Sequence, residues 1–149
     1  MVIVDANVLL YAINEASPHH RAAREWMDSA LGADEPVGFA WVVLLAFLRL
    51  ATLPAVFPKP LGVSTALELV DDWLAARAAT VVHPTPRHAR VLGGFLEASG
   101  TAGNLVTDAH LATLAVEHGA RLCTFDRDFA RFPGLRSFVP AGAFRAGDR

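Results

Sequence analysis

Cysteine and lysine are almost absent from this chain of 149 residues. Cys123 is the one cysteine, which excludes an internal disulfide framework and a zinc site built from several cysteines. Lys59 is the one lysine, so nearly all positive charge is carried by arginine. No apolar run approaches the roughly 18 residues that cross a bilayer, and the first residues lack the basic region and apolar stretch of a signal peptide. These absences predict a cytoplasmic protein with no membrane contact.

An excess of positive charge is also missing, because the formal net charge is −2. No overall basic field therefore indicates a nucleic-acid partner, although a local arginine patch is compatible with this total. The chain is not a disordered one, since 53% of its residues are hydrophobic and its mean hydropathy is +0.35. Its length fits one domain over residues 1–149.

Short apolar strands alternate with helical segments along the chain. Strands are predicted over residues 2–4, 36–39, 80–83, 122–125 and 136–139. Helices are predicted over residues 8–14, 17–31, 41–52, 64–77, 87–98 and 105–118. Ser17 and Ser64 are the predicted N-caps of the second and fourth helices. This alternation predicts the α/β class, with a mostly parallel sheet of about five strands between two helical layers.

Three carboxylates from distant parts of the sequence fall at one edge of that sheet. Asp5 ends the first strand, and Asp126 follows the fourth. Asp108 lies in the first turn or so of the helix that leads into the fourth strand, and the N-terminus of such a helix lies at the carboxyl ends of the strands. Ligands of open parallel sheets bind at this edge. Asp128, two residues beyond Asp126, is a candidate fourth acid.

Each acid alone has a simpler explanation than a functional site. Asp108 lies on an apolar helix stripe, where the positive end of the helix dipole stabilises it, while Thr107, His110, Thr113 and Glu117 form the predicted polar face. Asp5 is a candidate helix cap, although Asn7 is the better one. Gathered in one cleft, however, like charges repel. Carboxylate oxygens are ligands that Mg²⁺ prefers, so the group predicts a magnesium site.

Three segments resemble the PIN-domain ribonucleases, and most closely the VapC-type toxins of bacterial toxin–antitoxin pairs. They are "VIVDANVLLYA" at the N-terminus, "GNLVTDAHLATLAVEHG" and "LCTFDRDFARFPGL". The helix "WVVLLAFLRLAT" between them is similar as well, so the resemblance covers nearly the whole chain. It implies a PIN-like three-layer fold and a Mg²⁺- or Mn²⁺-dependent endoribonuclease. Such an enzyme acts on structured RNA, often tRNA, and is held inactive by an antitoxin.

The resemblance also implies roles for individual residues. The metal-binding acids fall on Asp5, Asp108 and Asp126, with Asp128 as a further catalytic acid. The positions that orient substrate or water fall on Asn7, Thr107 and Thr124.

One position departs from the family pattern. Many members carry a glutamate in the helix that matches residues 41–52, whereas this chain reads Ala46-Phe47-Leu48-Arg49 and has no acid in that helix. The departure leaves three possibilities open: one well-held ion, recruitment of Asp128 for a second ion, or a weak or degenerate nuclease.

The arginines and the apolar helices indicate which partners the protein binds. Arg127 and Arg131 flank the last two acids and are the best candidates for RNA phosphate contacts, although solvated ion pairs explain them equally well. The apolar helices exceed what a small domain hides, and the resemblance implies two uses for them, a homodimer and an antitoxin groove. The six histidines are interpreted as ordinary polar residues, because their spacing does not suit a metal.

Two other functions compete with RNA hydrolysis. A phosphoryl-accepting receiver domain shares the fold class and the acids at the edge, but Lys59 lies in a proline-rich loop far from them. A catalytically inert PIN-like module that only binds an antitoxin or RNA is the stronger alternative, because the helix glutamate is missing.

Overall fold

A five-stranded parallel sheet forms the centre of the protein. The computed structural model describes residues 1–100 and 102–141. The elements are, in chain order, β1 (Val2–Val4), α1 (Ala6–Ile13), α2 (His20–Gly32), β2 (Val37–Phe39), α3 (Trp41–Ala51), α4 (Val63–Ala75), β3 (Ala79–Val81), α5 (His88–Ser99), α6 (Leu105–Glu117), β4 (Arg121–Cys123), a 3-10 helix (Arg127–Arg131) and β5 (Arg136–Phe138). The strand order is β3-β2-β1-β4-β5. The predicted α/β architecture is confirmed.

The central strands β1 and β2 are fully buried, as expected of a parallel sheet covered on both faces. In the register, Val2 of β1 pairs with Val37 of β2 and Arg121 of β4, so the carboxyl ends of these strands lie level with one another. Gly38 of β2 lies where a Cβ would come within 3.0 Å of the Ile3 and Val82 side chains, which is why a glycine occupies the middle of this strand.

The helices pack in two groups. Helix α1 contacts both α2 and α3, and α5 packs against α6. Helix α6 is buried on most of its circumference. The prediction of a polar face is therefore wrong for the C-terminal half of this helix. Thr113 is buried and donates a 2.7 Å hydrogen bond to the carbonyl of Ala109, while the side chain of Glu117 is inaccessible to solvent. Helix α5 packs against α6, so residues that the amphipathic pattern assigns to the solvent face are buried.

The caps of three helices differ from the sequence prediction. Asp5, and not Asn7, is the N-cap of α1, which therefore begins at Ala6. Ser17 forms a turn with the following residues, and α2 begins only at His20. Helix α4 begins at Val63 after Gly62, so Ser64 lies inside the helix and is not its cap. Local cap chemistry identified each start to within two or three residues, as is usual.

The observed ends of β3 and β4 differ from the predicted ends by one or two residues, because parallel pairing stops where the neighbouring strand ends. Strand β3 covers Ala79–Val81, against the prediction of 80–83, and β4 covers Arg121–Cys123, against 122–125. A glycine after a helix is a signal for its end, and Gly119, with φ of 61°, turns the chain from α6 into β4.

Several large apolar side chains remain exposed. The apolar run of α3 predicts a buried helix with a packed tryptophan. This prediction is wrong, because Trp41 is 48% and Leu45 59% exposed and the helix buries one face only. Val63 and Leu67 of α4 are also exposed. Among the described helices, none is both long and apolar enough to span a bilayer.

Candidate metal centre

The ends of β1 and β4 are joined by side chains that surround Asp5. The Thr124 hydroxyl donates to Asp5 Oδ2 at 2.7 Å, and the backbone N–H of Ala6 donates to Asp5 Oδ1 at 2.7 Å. Asp5 follows β1, and Thr124 follows β4, so parallel pairing of these strands brings the two residues together. The structure therefore places Asp5 at the carboxyl edge of the sheet, as predicted.

Asn7 lies in the first turn of α1 and connects the same two loops. Its Nδ2 donates to Asp5 Oδ2 at 2.9 Å and contacts the Thr124 hydroxyl at 3.2 Å. Its Oδ1 accepts a 3.1 Å hydrogen bond from the backbone N–H of Phe125. Through both ends of its amide, Asn7 therefore links Asp5 to the β4 loop.

Asp126 and Asp128 lie where β4 leads into the 3-10 helix. Asp126 is half-buried and is the N-cap of this helix, with its Oδ1 accepting from the N–H of Asp128 at 2.8 Å. The N–H of Asp126 in turn donates to the Thr124 hydroxyl at 3.0 Å. The side chain of Asp128 is 74% exposed, so it lies on the solvent side of the edge.

Asp108 approaches this edge from α6, where it lies in the first turn of the helix. Burial raises the pKa of Asp108, the charges of Asp126 and Asp128 raise it further, and the positive charge of Arg131 opposes them. The two acids of the β4 loop therefore act electrostatically on the acid of α6.

Burial is also the main cause that raises the pKa of Asp5. The hydrogen bonds from Thr124 and from the Ala6 N–H act in the opposite direction, and the charges of Asp108 and Asp126 add to the increase. The three acids named from the sequence thus form one electrostatic group. A group of acids at the carboxyl edge of a sheet in which burial raises the pKa of two members, Asp5 and Asp108, is a candidate functional site.

The donor chemistry of this group suits a hard divalent cation, because all of its ligand atoms are carboxylate oxygens. Within residues 1–100 and 102–141, no three histidine, cysteine, aspartate or glutamate side chains already converge on one metal position. A cation at this edge would therefore be held by one or two carboxylates and by water, which is the usual coordination of Mg²⁺. A positive ion would also offset the repulsion between the acids.

The remaining residues named from the sequence lie on the outside of the group. Thr107 is exposed on the first turn of α6. Arg127 and Arg131 are exposed on the 3-10 helix, at its first and last residues. Arg131 Nε donates to the Asp128 carbonyl at 3.1 Å, and its Nη2 lies 3.8 Å from Asp128 Oδ2.

A second polar cluster, which the sequence analysis missed, lies between α5 and α6. Glu117 accepts from the Thr85 hydroxyl at 2.7 Å and from the Thr85 N–H at 3.2 Å. His88 Nδ1 contacts Glu117 Oε1 at 2.7 Å, and His88 Nε2 lies 2.8 Å from His110 Nδ1. The interpretation of His88 and His110 as ordinary polar residues overlooked this partly buried network. The spacing of seven between His110 and Glu117, which puts both on one helix face, was the available signal.

Comparison with known proteins identifies the family. The PIN domain family model matches residues 2–135. Ribonuclease VapC37 of Mycobacterium tuberculosis is 56% identical over 136 residues, which cover 91% of this chain and 94% of that protein. Ribonuclease VapC31 of the same organism is 38% identical over 140 residues, which cover 94% of this chain and 99% of that protein.

Solved structures show the same fold. VapBC2 from Rickettsia felis, bound to a DNA fragment from its promoter, matches with a TM-score of 0.69 at 19% identity and covers 93% of this chain and 98% of that chain. Mycobacterium tuberculosis VapC20, described as a Sarcin-Ricin loop cleaving toxin, matches with a TM-score of 0.66 at 18% identity and covers 87% of this chain and 93% of that chain. The resemblance found in the sequence is confirmed: this chain belongs to the PIN-domain family and, within it, to the VapC ribonucleases.

Proposed function

We propose that this protein is a divalent-metal-dependent endoribonuclease that acts as the toxin of a toxin–antitoxin pair. The observation that carries the proposal is the electrostatic group of Asp5, Asp108 and Asp126 at the carboxyl edge of the sheet. The relatives at 56% and 38% identity are named ribonucleases, which supports the same chemistry. The proposed enzyme covers the whole chain as a single domain, although residue 101 and residues 142–149 lie outside the described part. The cytoplasm, where RNA is available, is its proposed location.

Asp5 and Asp108 are the proposed main ligands of Mg²⁺ or Mn²⁺. Asp126 is proposed to complete the metal site by orienting the water on the ion, with Asp128 as a further acid on the solvent side. A bound divalent ion supplies a polarised water and a positive charge for the leaving oxygen in phosphodiester hydrolysis. Asp5 has about one free lone pair for an ion, because three of the roughly four acceptor sites of its carboxylate are already used by Ala6, Asn7 and Thr124.

The other side chains of the edge position these acids and the substrate. Thr124 and Asn7 fix the orientation of the Asp5 carboxylate, as groups behind a metal ligand commonly do. Arg127 and Arg131 are the proposed contacts for RNA phosphates, because a guanidinium recognises phosphate oxygens in a forked geometry. Thr107, exposed one residue before Asp108, is proposed to orient a substrate oxygen or a water molecule.

Asp108→Asn is the variant that tests the hydrolysis most cleanly. Asp108 has no cap role in α6, whereas Asp5→Ala would also remove the N-cap of α1 and leave Thr124 and Asn7 without their acceptor. Purified, antitoxin-free protein should cleave RNA with Mg²⁺ or Mn²⁺ and lose this activity in chelator. Asp108→Asn should fold and be inactive. Cleavage that persists both in chelator and in the variant would exclude metal-dependent hydrolysis.

An inert module that binds a partner or RNA is the second candidate, and Ala46 is the observation that favours it. This position lacks the glutamate that many family members carry. The inert module predicts that no RNA is cut with either metal and that Mn²⁺ does not bind at the edge. The two measurements together separate an active one-ion enzyme from a module that has lost its chemistry.

The exposed apolar side chains of α3 and α4 support two proposed protein partners, a cognate antitoxin and a second copy of this chain. Trp41 and Leu45 lie one turn apart on α3, as do Val63 and Leu67 on α4. Leu45→Asp should weaken self-association or antitoxin binding, as measured by light scattering and by co-purification with the coexpressed antitoxin. Glu68→Asp, a conservative change on α4, is the control.

A further inference from the structure

Arg131 is a positive charge that the structure places beside Asp128 at the edge. Its Nε donates to the backbone carbonyl of Asp128 at 3.1 Å, which holds the base of the guanidinium at the end of the 3-10 helix. Its Nη2 remains 3.8 Å from Asp128 Oδ2, too far for a hydrogen bond. The guanidinium is thus held beside the Asp128 carboxylate without a hydrogen bond to it.

The exposure of this pair makes the contact easy to break. The side chain of Arg131 is 46% exposed and that of Asp128 is 74% exposed. Exposed ion pairs of this kind contribute little to stability, so separating the Arg131 and Asp128 side chains costs little. The hydrogen bond from Nε to the Asp128 carbonyl is exposed as well, and a phosphate oxygen or a water molecule can replace its acceptor. Arg131 also acts on Asp108, since its positive charge lowers the pKa of that carboxyl against the effect of the neighbouring acids.

We propose that Arg131 is a shared counter-charge, which offsets the edge acids when RNA is absent and moves to an RNA phosphate when substrate binds. This inference rests on the proposed nuclease function and adds a regulatory property to the same site. While Arg131 faces the acids it repels a metal ion, and when it binds phosphate that repulsion is relieved. RNA and metal then support each other's binding through this one side chain, and such coupling is reciprocal by thermodynamic necessity.

The inference predicts opposite effects of one substitution on the two ligands. Arg131→Gln should tighten the binding of Mn²⁺ alone by about three- to tenfold at low ionic strength, because a positive charge near the ion is removed. The same variant should weaken the binding of a mixed-sequence single-stranded RNA. If Arg131 had a purely structural role, its substitution would weaken the binding of both ligands or of neither.

Two binding experiments measure these effects without catalysis. Calorimetry or electron paramagnetic resonance gives the affinity for Mn²⁺ in the absence of RNA. Fluorescence anisotropy in chelator gives the affinity for RNA, and the slope of its logarithm against the logarithm of salt concentration should fall in magnitude by about 0.7 in Arg131→Gln if one phosphate contact is lost. Arg131→Lys keeps the charge and should bind Mn²⁺ as the unmodified protein does.

Arg24→Gln is the matched control. Arg24 of α2 forms an exposed pair with Asp28 at 3.7 Å, so the control removes the same charge from a pair of similar geometry that involves none of the edge acids. It should change neither ligand's affinity by a comparable factor. Thermal unfolding of each variant checks that it is folded.

The outcomes separate this inference from the nuclease proposal. Tighter Mn²⁺ binding and weaker RNA binding in Arg131→Gln alone support it. Unchanged or weaker Mn²⁺ binding in Arg131→Gln overturns the inference about Arg131. If Asp108→Asn loses Mn²⁺ binding in the same experiments, the nuclease proposal is still supported. If Asp108→Asn binds Mn²⁺ as tightly as the unmodified protein, the nuclease proposal fails as well.

Discussion

The Thr124 hydroxyl donates a 2.7 Å hydrogen bond to Asp5 Oδ2, across a separation of 119 positions in the chain. The same hydroxyl accepts from the N–H of Asp126 at 3.0 Å. One buried oxygen therefore connects the acid that ends β1 to the backbone of the acid that follows β4. The orientation of both acids depends on this threonine.

Thr124→Val tests that dependence, because valine has nearly the same shape but no hydroxyl. We expect RNA cleavage to fall by about 10- to 100-fold, as is usual when a group that orients a metal ligand is removed. The free energy of unfolding should fall by about 1–3 kcal/mol, since the Asp126 N–H loses a partner in a buried environment. Thr124→Ser keeps the hydroxyl and should retain most activity, so full activity in the valine variant would contradict the assigned role.

Asp108→Asn should stabilise the metal-free protein. The charge of Asp108 adds to the increase in the pKa of Asp5, and its removal relieves repulsion within the group. We expect the melting temperature without metal to rise by about 2–4 °C, the shift that corresponds to about 1 kcal/mol in a protein of this size. Added Mn²⁺ should raise the melting temperature of the unmodified protein but not that of the variant.

Asp72→Asn on α4 is the control for that experiment, since it removes one exposed negative charge from another helix. It should leave both the melting temperature and its response to Mn²⁺ nearly unchanged. A fall in the stability of metal-free Asp108→Asn, with Asp72→Asn unaffected, would show that Asp108 has a stabilising partner and is not part of a repelling group.

Metal binding should weaken as the pH falls, starting above the ordinary aspartate pKa of 3.8. The folded protein raises the pKa of Asp5 and of Asp108, mainly by burial, so protons compete with the ion at higher pH than they would for exposed aspartates. The stability of the metal-free protein should depend on pH in the opposite direction. A carboxyl whose pKa is raised on folding contributes stability at low pH, and this contribution is lost as the pH rises through the folded pKa. Titration of Mn²⁺ affinity and of metal-free melting temperature from neutral to acidic pH measures both trends.

Glu117→Gln should destabilise the fold without touching the edge acids. Burial alone would raise the pKa of Glu117, but the hydrogen bonds from His88 and Thr85 hold this pKa below its ordinary value. Its ionised form therefore stabilises the fold above the unfolded pKa, and this contribution is lost as the pH falls through the folded pKa. We expect the free energy of unfolding to fall by about 2–3 kcal/mol at neutral pH in chemical denaturation. Glu97→Gln, at an exposed position of α5, should have little effect.

The edge of the sheet could be predicted from sequence because its determinants are local. Asp5 and Asp126 each follow a short apolar strand, and parallel strands bring their carboxyl ends together whatever the details of packing. The N-terminal position of Asp108 on its helix followed from the same topology. None of these placements required knowledge of side-chain partners.

The residues that were misjudged depend on distant partners. Asn7 is not the cap of α1 because its Oδ1, the acceptor that a cap would use, is taken by the N–H of Phe125, 118 positions away in the β4 loop. The helical pattern of the sequence places Glu117 on a solvated face. Only the folded structure shows that His88, 29 positions away, packs against it. Trp41 was expected to pack because its helix is apolar, but an apolar run does not reveal which face the rest of the fold covers.

The affinity of purified, antitoxin-free protein for Mn²⁺, compared with that of Asp108→Asn at neutral pH, tests most directly whether the acids at the edge hold a divalent cation. We expect calorimetry to show binding by the unmodified protein and an affinity at least about tenfold lower in the folded variant, the lower end of the usual effect of losing a group at a metal site. Equal affinities in the two proteins would show that the ion binds elsewhere and would contradict the account.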